Sequence, residues 1–376
     1  MIVSLKNGKE IIVPDLFKEF ISDSTSLKIY NDKSIQNLNK ISKEIKNGHF
    51  ILIEQASQKD IIKLYDFVER KIDEFISHDQ RSEIKSKDNN RNKKYLFETK
   101  KKNVLNHILI VGKNEKIITY DDGTEINDLI YFCGSTIKHN DKNFIIPFKF
   151  YRDLQNKLSE SIFVEAVGNE FRTGINVLLP KSQETYNLFK KSISGVSKKC
   201  NLSVLDMGCG SGVLSYILYD QLVRSEIYFT DILPESIASS ELNLRKLQDD
   251  KEGKNKLINL NPGYLFNNID KNFDLIVFNP PWIDARANNR SELALNDKDQ
   301  TLLVEFLLQS GDHLKDNGRI LLGFSDNSGE KAIENFEKNI ADHNFKIIKV
   351  NSDRIQSYQS GRKWMKIFVY ELMKII

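Results

Sequence analysis

The chain is poor in the residues that mark several large protein classes. It has three cysteines, Cys133, Cys200 and Cys209, far apart and without a C-x-x-C pair. Neither a disulfide framework nor a structural zinc site is therefore expected. Its six histidines are scattered without ligand spacing, and no metal site is expected. No apolar run approaches the roughly 18 residues of a membrane span. The segment from Met1 to Gly8 has no basic stretch leading into an apolar core, so no signal peptide is expected. Charge of one sign is lacking too: 55 Lys and Arg stand against 52 Asp and Glu, a net +3. That argues against a whole-protein nucleic-acid footprint. A reduced, cytoplasmic protein without a membrane partner is the expectation. What is there, 40% hydrophobic and 28% charged residues over 376 positions, suits a soluble globular chain long enough for two domains. Prolines are sparse, seven in all, yet two stand side by side at Pro280-Pro281.

The pattern changes near residue 160. Before it, residues 2 to 13 alternate around Asn7-Gly8, a hairpin signal. Residues 35 to 48 and 58 to 77 have helical spacing, and short strands are expected over 108–111, 116–120, 129–133 and 144–148, punctuated by Asp122-Gly123 and Gly134. Residues 80 to 103 carry nine Lys or Arg against three Asp or Glu. Tyr95 and Phe97 are interleaved there, which admits a nucleic-acid contact; the dilution by acids favours a solvated linker. An N-terminal α+β domain, 1–160, with a substrate-recognition or accessory role is expected. After it, strands at 202–205, 226–230, 257–260, 275–278, 320–324, 345–350 and 366–373 alternate with helices at 212–223, 234–247, 301–314 and 330–341. That rhythm predicts an open, mainly parallel seven-stranded sheet with helices on both faces over 161–376. Such sheets bind ligands at the carboxyl ends of their strands.

Two signals sit at such ends. Asp206-x-Gly208-Cys209-Gly210-x-Gly212 follows an apolar strand and opens a helix. Glycines there permit positive φ and close approach of a ligand, and the helix N-terminus adds a positive field. The spacing is G-x-G-x-G, not the G-x-G-x-x-G of a dinucleotide loop. Asp206 would repel a pyrophosphate and attract a cation such as a sulfonium or an amino acid's ammonium. The next strand ends in Thr230-Asp231-Ile232, an acid about 20 residues on, placed to accept from ribose hydroxyls. The second signal is Asn279-Pro280-Pro281-Trp282. Two prolines cannot continue a ladder, so Asn279 stands on a stiff turn with an aromatic plane three residues away. An amide oxygen held beside a stacking surface suits a planar substrate that carries an NH2 group.

In these motifs the C-terminal part resembles class I S-adenosylmethionine-dependent methyltransferases, with Val204 to Gly212 as their first motif, Asp231 as the ribose acid and Asn279 to Trp282 as the [D/N]-P-P-[Y/F/W] motif of the amino-nitrogen branch. It is most similar there to HemK-like glutamine methyltransferases and their small-domain relatives; Gly174 to Thr185 resembles the segment before their first motif, with Lys181 where Arg is usual. The resemblance implies a Rossmann-like fold, S-adenosylmethionine as cofactor and Asp206, Gly208, Cys209, Gly210, Gly212, Asp231, Ile232, Tyr264 and Asn279 around it. It implies Asn279, Pro280 and Trp282 as the catalytic turn. Two positions depart from the pattern: Tyr264 stands where an acid commonly holds the adenine, and Trp282 where Tyr is usual. The N-terminal 160 residues do not resemble the small helical bundle of HemK-like proteins.

The resulting reading is methyl transfer to an amino or amide nitrogen. A small molecule or peptide is favoured as acceptor, with a protein glutamine or a nucleobase as alternatives. A non-methyl use of the cofactor, cyclisation or aminocarboxypropyl transfer, stays open beside Tyr264. The polar loop from Ile283 to Lys298 either covers or selects the substrate or merely connects, and Asn169 to Gly174 either caps the cofactor pocket or, the reading favoured, is an ordinary loop.

Overall fold

The computed structural model describes residues 2–4, 10–18, 21, 26–72, 90–114, 116–120, 128, 131–132, 142–196, 200–248, 255–356 and 363–375. The chain divides into two compact units, Met1–Asn156 and Lys157–Ile376.

In the first unit, β1 (Ile2–Ser4) and β2 (Glu10–Ile12) pair antiparallel, Ile2 opposite Ile12; the expected turn at Asn7-Gly8 lies outside the described residues. Then come β3 (Leu27–Asn31), α1 (Leu38–Lys46), β4 (Phe50–Gln55), α2 (Gln58–Arg70), α3 (Asn90–Leu105), β5 (Ile108–Lys113), β6 (Lys116–Ile117), β7 (Asn143–Pro147) and α4 (Phe148–Leu158). The sheet order is β1-β2-β7-β5-β4-β3, with β6 on β5. Strands β3, β4 and β5 are parallel, joined by helices, and β7 runs antiparallel to β5. Side-chain caps start both early helices, Asn37 on the Lys40 N–H and Ser57 on the Asp60 N–H, which satisfies donors that lack a helical partner.

The charged stretch holds a helix, not a linker, from residue 90 onward. Lys101 pairs with Glu69 of α2 at 2.9 Å. Of the expected strand at 129–133, only residues 131 and 132 are described, and they form a helical turn. Gly134 and the Asp122-Gly123 turn lie outside the described residues.

The second unit begins with a hairpin, β8 (Ile162–Val164) and β9 (Asn169–Phe171), where the sequence suggested only a loop. It continues with α5 (Gln183–Val196), β10 (Ser203–Met207), α6 (Val213–Gln221), β11 (Glu226–Thr230), α7 (Pro234–Gln248), β12 (Lys256–Asn259), β13 (Phe273–Phe278), α8 (Thr301–Ser310), β14 (Leu314–Ser325), α9 (Glu330–Asp342), β15 (Phe345–Gln356) and β16 (Trp364–Lys374). The order is β12-β11-β10-β13-β14-β16-β15, parallel except for β16, which is antiparallel to both neighbours.

The central strands carry apolar side chains on both faces because both faces are covered. Val204, Leu275, Val277, Leu321 and Val369 face α5 and α6, packing with Phe189, Ile193, Leu214 and Ile217. Leu205, Met207, Ile276, Phe278, Ile320 and Leu322 face α8 and α9, packing with Leu303, Phe306, Phe336 and Ile340. Each such side chain, fully buried, contributes roughly 1.5–3 kcal/mol. Strand order reverses between β10, which leads outward to β11 and β12, and β13, which leads to β14. Loops leaving these two strand ends diverge, and the crevice between them is the natural ligand site of an open α/β sheet. The glycine loop follows β10 and the Asn-Pro-Pro-Trp turn follows β13.

Candidate active site

Three glycines shape the loop after β10. Gly208, Gly210 and Gly212 have φ of 68°, 53° and 85°, a region where a Cβ is strained. The third also lets a helix come close: a Cβ on Gly212 would lie 3.0 Å from Ser240 Cα in α7. Gly212→Ala is therefore expected to destabilise the protein by roughly 1–3 kcal/mol, read as a lower denaturation midpoint; an unchanged midpoint would mean that α7 yields freely.

Asp231 ties this loop to the next. Its Oδ2 accepts from the Gly210 N–H at 3.0 Å and its Oδ1 from the Leu233 N–H at 2.9 Å. Burial nevertheless pushes its carboxyl above the ordinary range, the backbone donors opposing the shift. Asp206 is fully buried beneath the loop and does not line the cleft. One of its oxygens accepts from Ser215 Oγ at 2.6 Å; the other has no hydrogen-bond partner. Burial pushes this carboxyl up to about 7, against the pull of Ser215. In the unfolded chain it ionises near 3.8, so folding favours the protonated form. That stabilisation is full below about pH 4 and is lost as pH rises through about 7. Denaturation of the unliganded protein at pH 5 and pH 8 should show it: the native chain loses stability, on the order of a few kcal/mol, relative to Asp206→Asn. Parallel pH profiles would disprove the assignment. Cys209 is buried, its thiol pushed well up by burial and by the two aspartates, so it is inert packing with its N–H on the Thr230 carbonyl at 2.9 Å.

The glycine loop and Asn279 open onto one cleft of about 410 Å³, within the roughly 300–1,000 Å³ of small-molecule sites. Gly208, Cys209, Gly210, Asp231, Ile232, Tyr264 and Asn279 line it. Ile232 offers an exposed apolar face. The Tyr264 hydroxyl is engaged, donating to Glu305 of α8 at 2.6 Å, so only its ring and backbone remain for a ligand. The Asn279 Oδ1 is buried without a hydrogen-bond partner. Such an orphan costs about 1–3 kcal/mol, and active-site groups that await a ligand are where it is tolerated.

Pro280 and Trp282 do not line this cleft. They border an adjoining cavity of about 500 Å³ between the turn, α8 and α9; Pro281 and Asp297 line both spaces. Trp282 packs against both hydrophobic cores and so anchors the turn.

The segment after the turn is a structured cover. Ile283 bridges Asn296, with the Asp297 N–H on the Ile283 carbonyl at 2.9 Å. Leu293, Ala294 and Asn296 line the cleft, and Asp297 accepts from the Leu302 and Leu303 N–H groups at the start of α8. Arg290 reaches across to the buried Glu235 of α7 at 2.8 Å. The other Glu235 oxygen accepts from Asn176 Nδ2 at 3.1 Å. Asn176, Val177 and Tyr186 complete the rim. The sequence pointed to their segment only through its likeness to a family. Gln183 near the start of α5 fastens it, its Oε1 accepting the Glu165 N–H at 2.9 Å. Lys181 is exposed and does not line the cleft.

The second unit has the seven-stranded sheet, the glycine loop and the acid at successive strand ends that the resemblance to class I methyltransferases implied. More narrowly, residues 193–349 match the family model described as methyltransferase small domain. The chain is similar to a release factor glutamine methyltransferase of Fusobacterium nucleatum, 29% identical over 244 residues, 60% of this chain and 65% of that protein. It is similar to a protein of the same name from Haemophilus influenzae, 25% identical over 61% of this chain and 80% of that one. The chain thus spans just under two thirds of the first relative's length. A ribosomal protein L11 methylase structure from Lactobacillus delbrueckii subsp. bulgaricus aligns with 21% identity and a TM-score of 0.38, over 55% of this chain and 86% of that one. Among the described residues no helix is long and apolar enough to cross a membrane.

Proposed function

We propose that the second unit transfers a methyl group from S-adenosylmethionine to the nitrogen of a neutral, planar amide held at Asn279, and that a glutamine side chain in a polypeptide is the acceptor. The observation that carries this is the shared cleft: the glycine loop and Asn279 line one space. The residues suit the cofactor. Gly208 and Gly210 bring loop backbone of positive φ to the cleft wall, and Asp231 borders the cleft beside Ile232. Asp231 is assigned to the ribose hydroxyls and the ring of Tyr264 and the face of Ile232 to the adenine, while Asp206, beneath the loop, ties the end of β10 to α6 through Ser215. Bound there, S-adenosylmethionine supplies a methyl group already activated for displacement.

The protein's own task is alignment and exclusion of water, and well-oriented reactants gain on the order of 7–11 kcal/mol from proximity. An amide nitrogen has a delocalised lone pair. The Asn279 oxygen accepts one of its N–H groups and helps to free that lone pair for attack, while Pro280, which does not line the cleft, stiffens the turn. Asn suits a nitrogen that starts neutral, where Asp would favour a cation. Trp282, set between the two cores, holds the turn and walls the adjoining cavity, where the acceptor's flanking chain has space. The segment from Ile283 to Asp297 closes over the cleft.

The relatives' names move the acceptor from the small molecule or peptide that the sequence favoured toward a polypeptide glutamine, and the balanced charge weighs against a nucleic acid. All residues that line the cleft lie in the second unit, which leaves the first unit for choosing the acceptor. The test incubates the full chain with S-adenosylmethionine and purified release factors, a glutamine-containing peptide, or free glutamine, followed by mass spectrometry. Gain of one methylene equivalent on a glutamine supports the reading. Transfer of the larger aminocarboxypropyl group, or methylation of free glutamine alone, would replace it.

A further inference from the structure

Gly323 is buried near the carboxyl end of β14, two residues before the strand ends at Ser325. Glycine inside a strand weakens it, and it often marks a place where another group comes close. Here that group is identifiable. Phe278 of β13 stands opposite Leu322, so the next residues along, Asn279 and Gly323, are neighbours at the strand ends. Asn279 continues the alternation of Leu275 and Val277 and therefore points to the α5 face of the sheet. A Cβ built on Gly323 would lie 2.5 Å from Asn279 Oδ1 and 2.9 Å from the Phe189 ring of α5. The backbone at 323 needs no glycine, since its φ is not in the left-handed region. Only the space beside it does.

We propose that Gly323 is a positioning residue for the transfer: its missing side chain leaves the niche that holds the Asn279 amide at the cleft, with an oxygen that no protein donor claims. This rests on the assignment of Asn279 to the acceptor nitrogen. An oxygen already bonded to the protein would have to give up that bond when the acceptor arrives. Packed between Gly323 and Phe189, the amide is held by shape instead, and the acceptor's N–H satisfies it at no such expense. Any larger residue at 323 drives the amide out of the niche while leaving the glycine loop, Asp231 and Tyr264 untouched.

The experiment compares the full chain with Gly323→Ala, Phe189→Leu, the double variant and Asn279→Ala. It reads melting temperature, affinity for S-adenosylhomocysteine, kcat and KM for methylation of release factor, and the Asn279 side-chain NH2 resonances, assigned by their loss in Asn279→Ala. Gly323→Ala is expected to lower kcat roughly 100-fold, the effect of misplacing a group by about 1 Å. The Asn279 resonances should shift, and ligand affinity should stay within about twofold. Phe189→Leu in the Gly323→Ala background removes the ring contact but not the clash with Asn279. Relative to Phe189→Leu alone, the double variant should therefore regain melting temperature and remain slow. If kcat returned together with melting temperature, or if Gly323→Ala transferred at full rate with unmoved Asn279 resonances while Asn279→Ala was inactive, Gly323 would be mere packing and the inference wrong. If Asn279→Ala itself kept full rate, the assignment of Asn279 would fail and the positioning role with it.

Discussion

Asn279→Ala is expected to remove methyl transfer, with kcat down by roughly 10²–10³-fold or more, the loss typical of deleting one preorganised hydrogen-bonding group at a reacting centre. Cofactor affinity should stay within about twofold. Asn279 follows β13 and Asp231 follows β11, with β10 between them, and the glycine loop is held by Asp231, Cys209 and Ser240. A transition-state interaction lost without a ground-state one lowers kcat and kcat/KM together. Single-turnover transfer with the variant saturated in S-adenosylmethionine is the measurement. A rise in KM at constant kcat would instead make Asn279 a simple binding group for the acceptor.

The second large effect is expected at Asp231. Its carboxylate holds two backbone N–H groups, Gly210 at 3.0 Å and Leu233 at 2.9 Å, and faces the cleft. A hydrogen bond to a charged group contributes about 1.5–3 kcal/mol, and 1.4 kcal/mol is a factor of ten in affinity. Asp231→Ala should therefore weaken S-adenosylmethionine binding by roughly ten- to a hundredfold through the lost ribose contact. It should also lower the melting temperature, because Gly210 and Leu233 lose their acceptor. Asp231→Asn, which keeps an oxygen, should fall between. Calorimetry separates the two effects from those at Asn279. Cofactor affinity unchanged in Asp231→Ala would leave the carboxylate a loop brace only.

The parts of the site that could be read from the chain are those fixed by local chemistry. Gly208, Gly210 and Gly212 announce a loop of positive φ because few other residues tolerate it. Pro280-Pro281 announces a strand end because neither residue has an N–H. In the first unit the local signals were weaker. Phe50 to Ile53 is a short apolar run that periodicity does not separate from a helix. The helix from residue 90 to 105 is so rich in Lys, Arg and Asn that its sequence resembles a solvated connector.

Trp282 illustrates the other limit. Its sequence neighbours predicted a stacking plane beside Asn279, yet its ring is taken up by two cores and an adjoining cavity. Tyr264 likewise kept its place on the cleft but spent its hydroxyl on Glu305, 41 positions away.

The sequence by itself determined the alternating order of strands and helices, the loop at one strand end and the stiff turn at another, since each is written in steric and hydrogen-bonding limits that act within a few residues. Only the tertiary structure decided that these ends share a cleft, that Arg290 and Asn176 meet at Glu235, and that Gly323 makes room for Asn279. The last two rest on contacts between residues 44 to 59 positions apart. Packing and charge, not local preference, bring such pairs together, and no short window of sequence contains both partners.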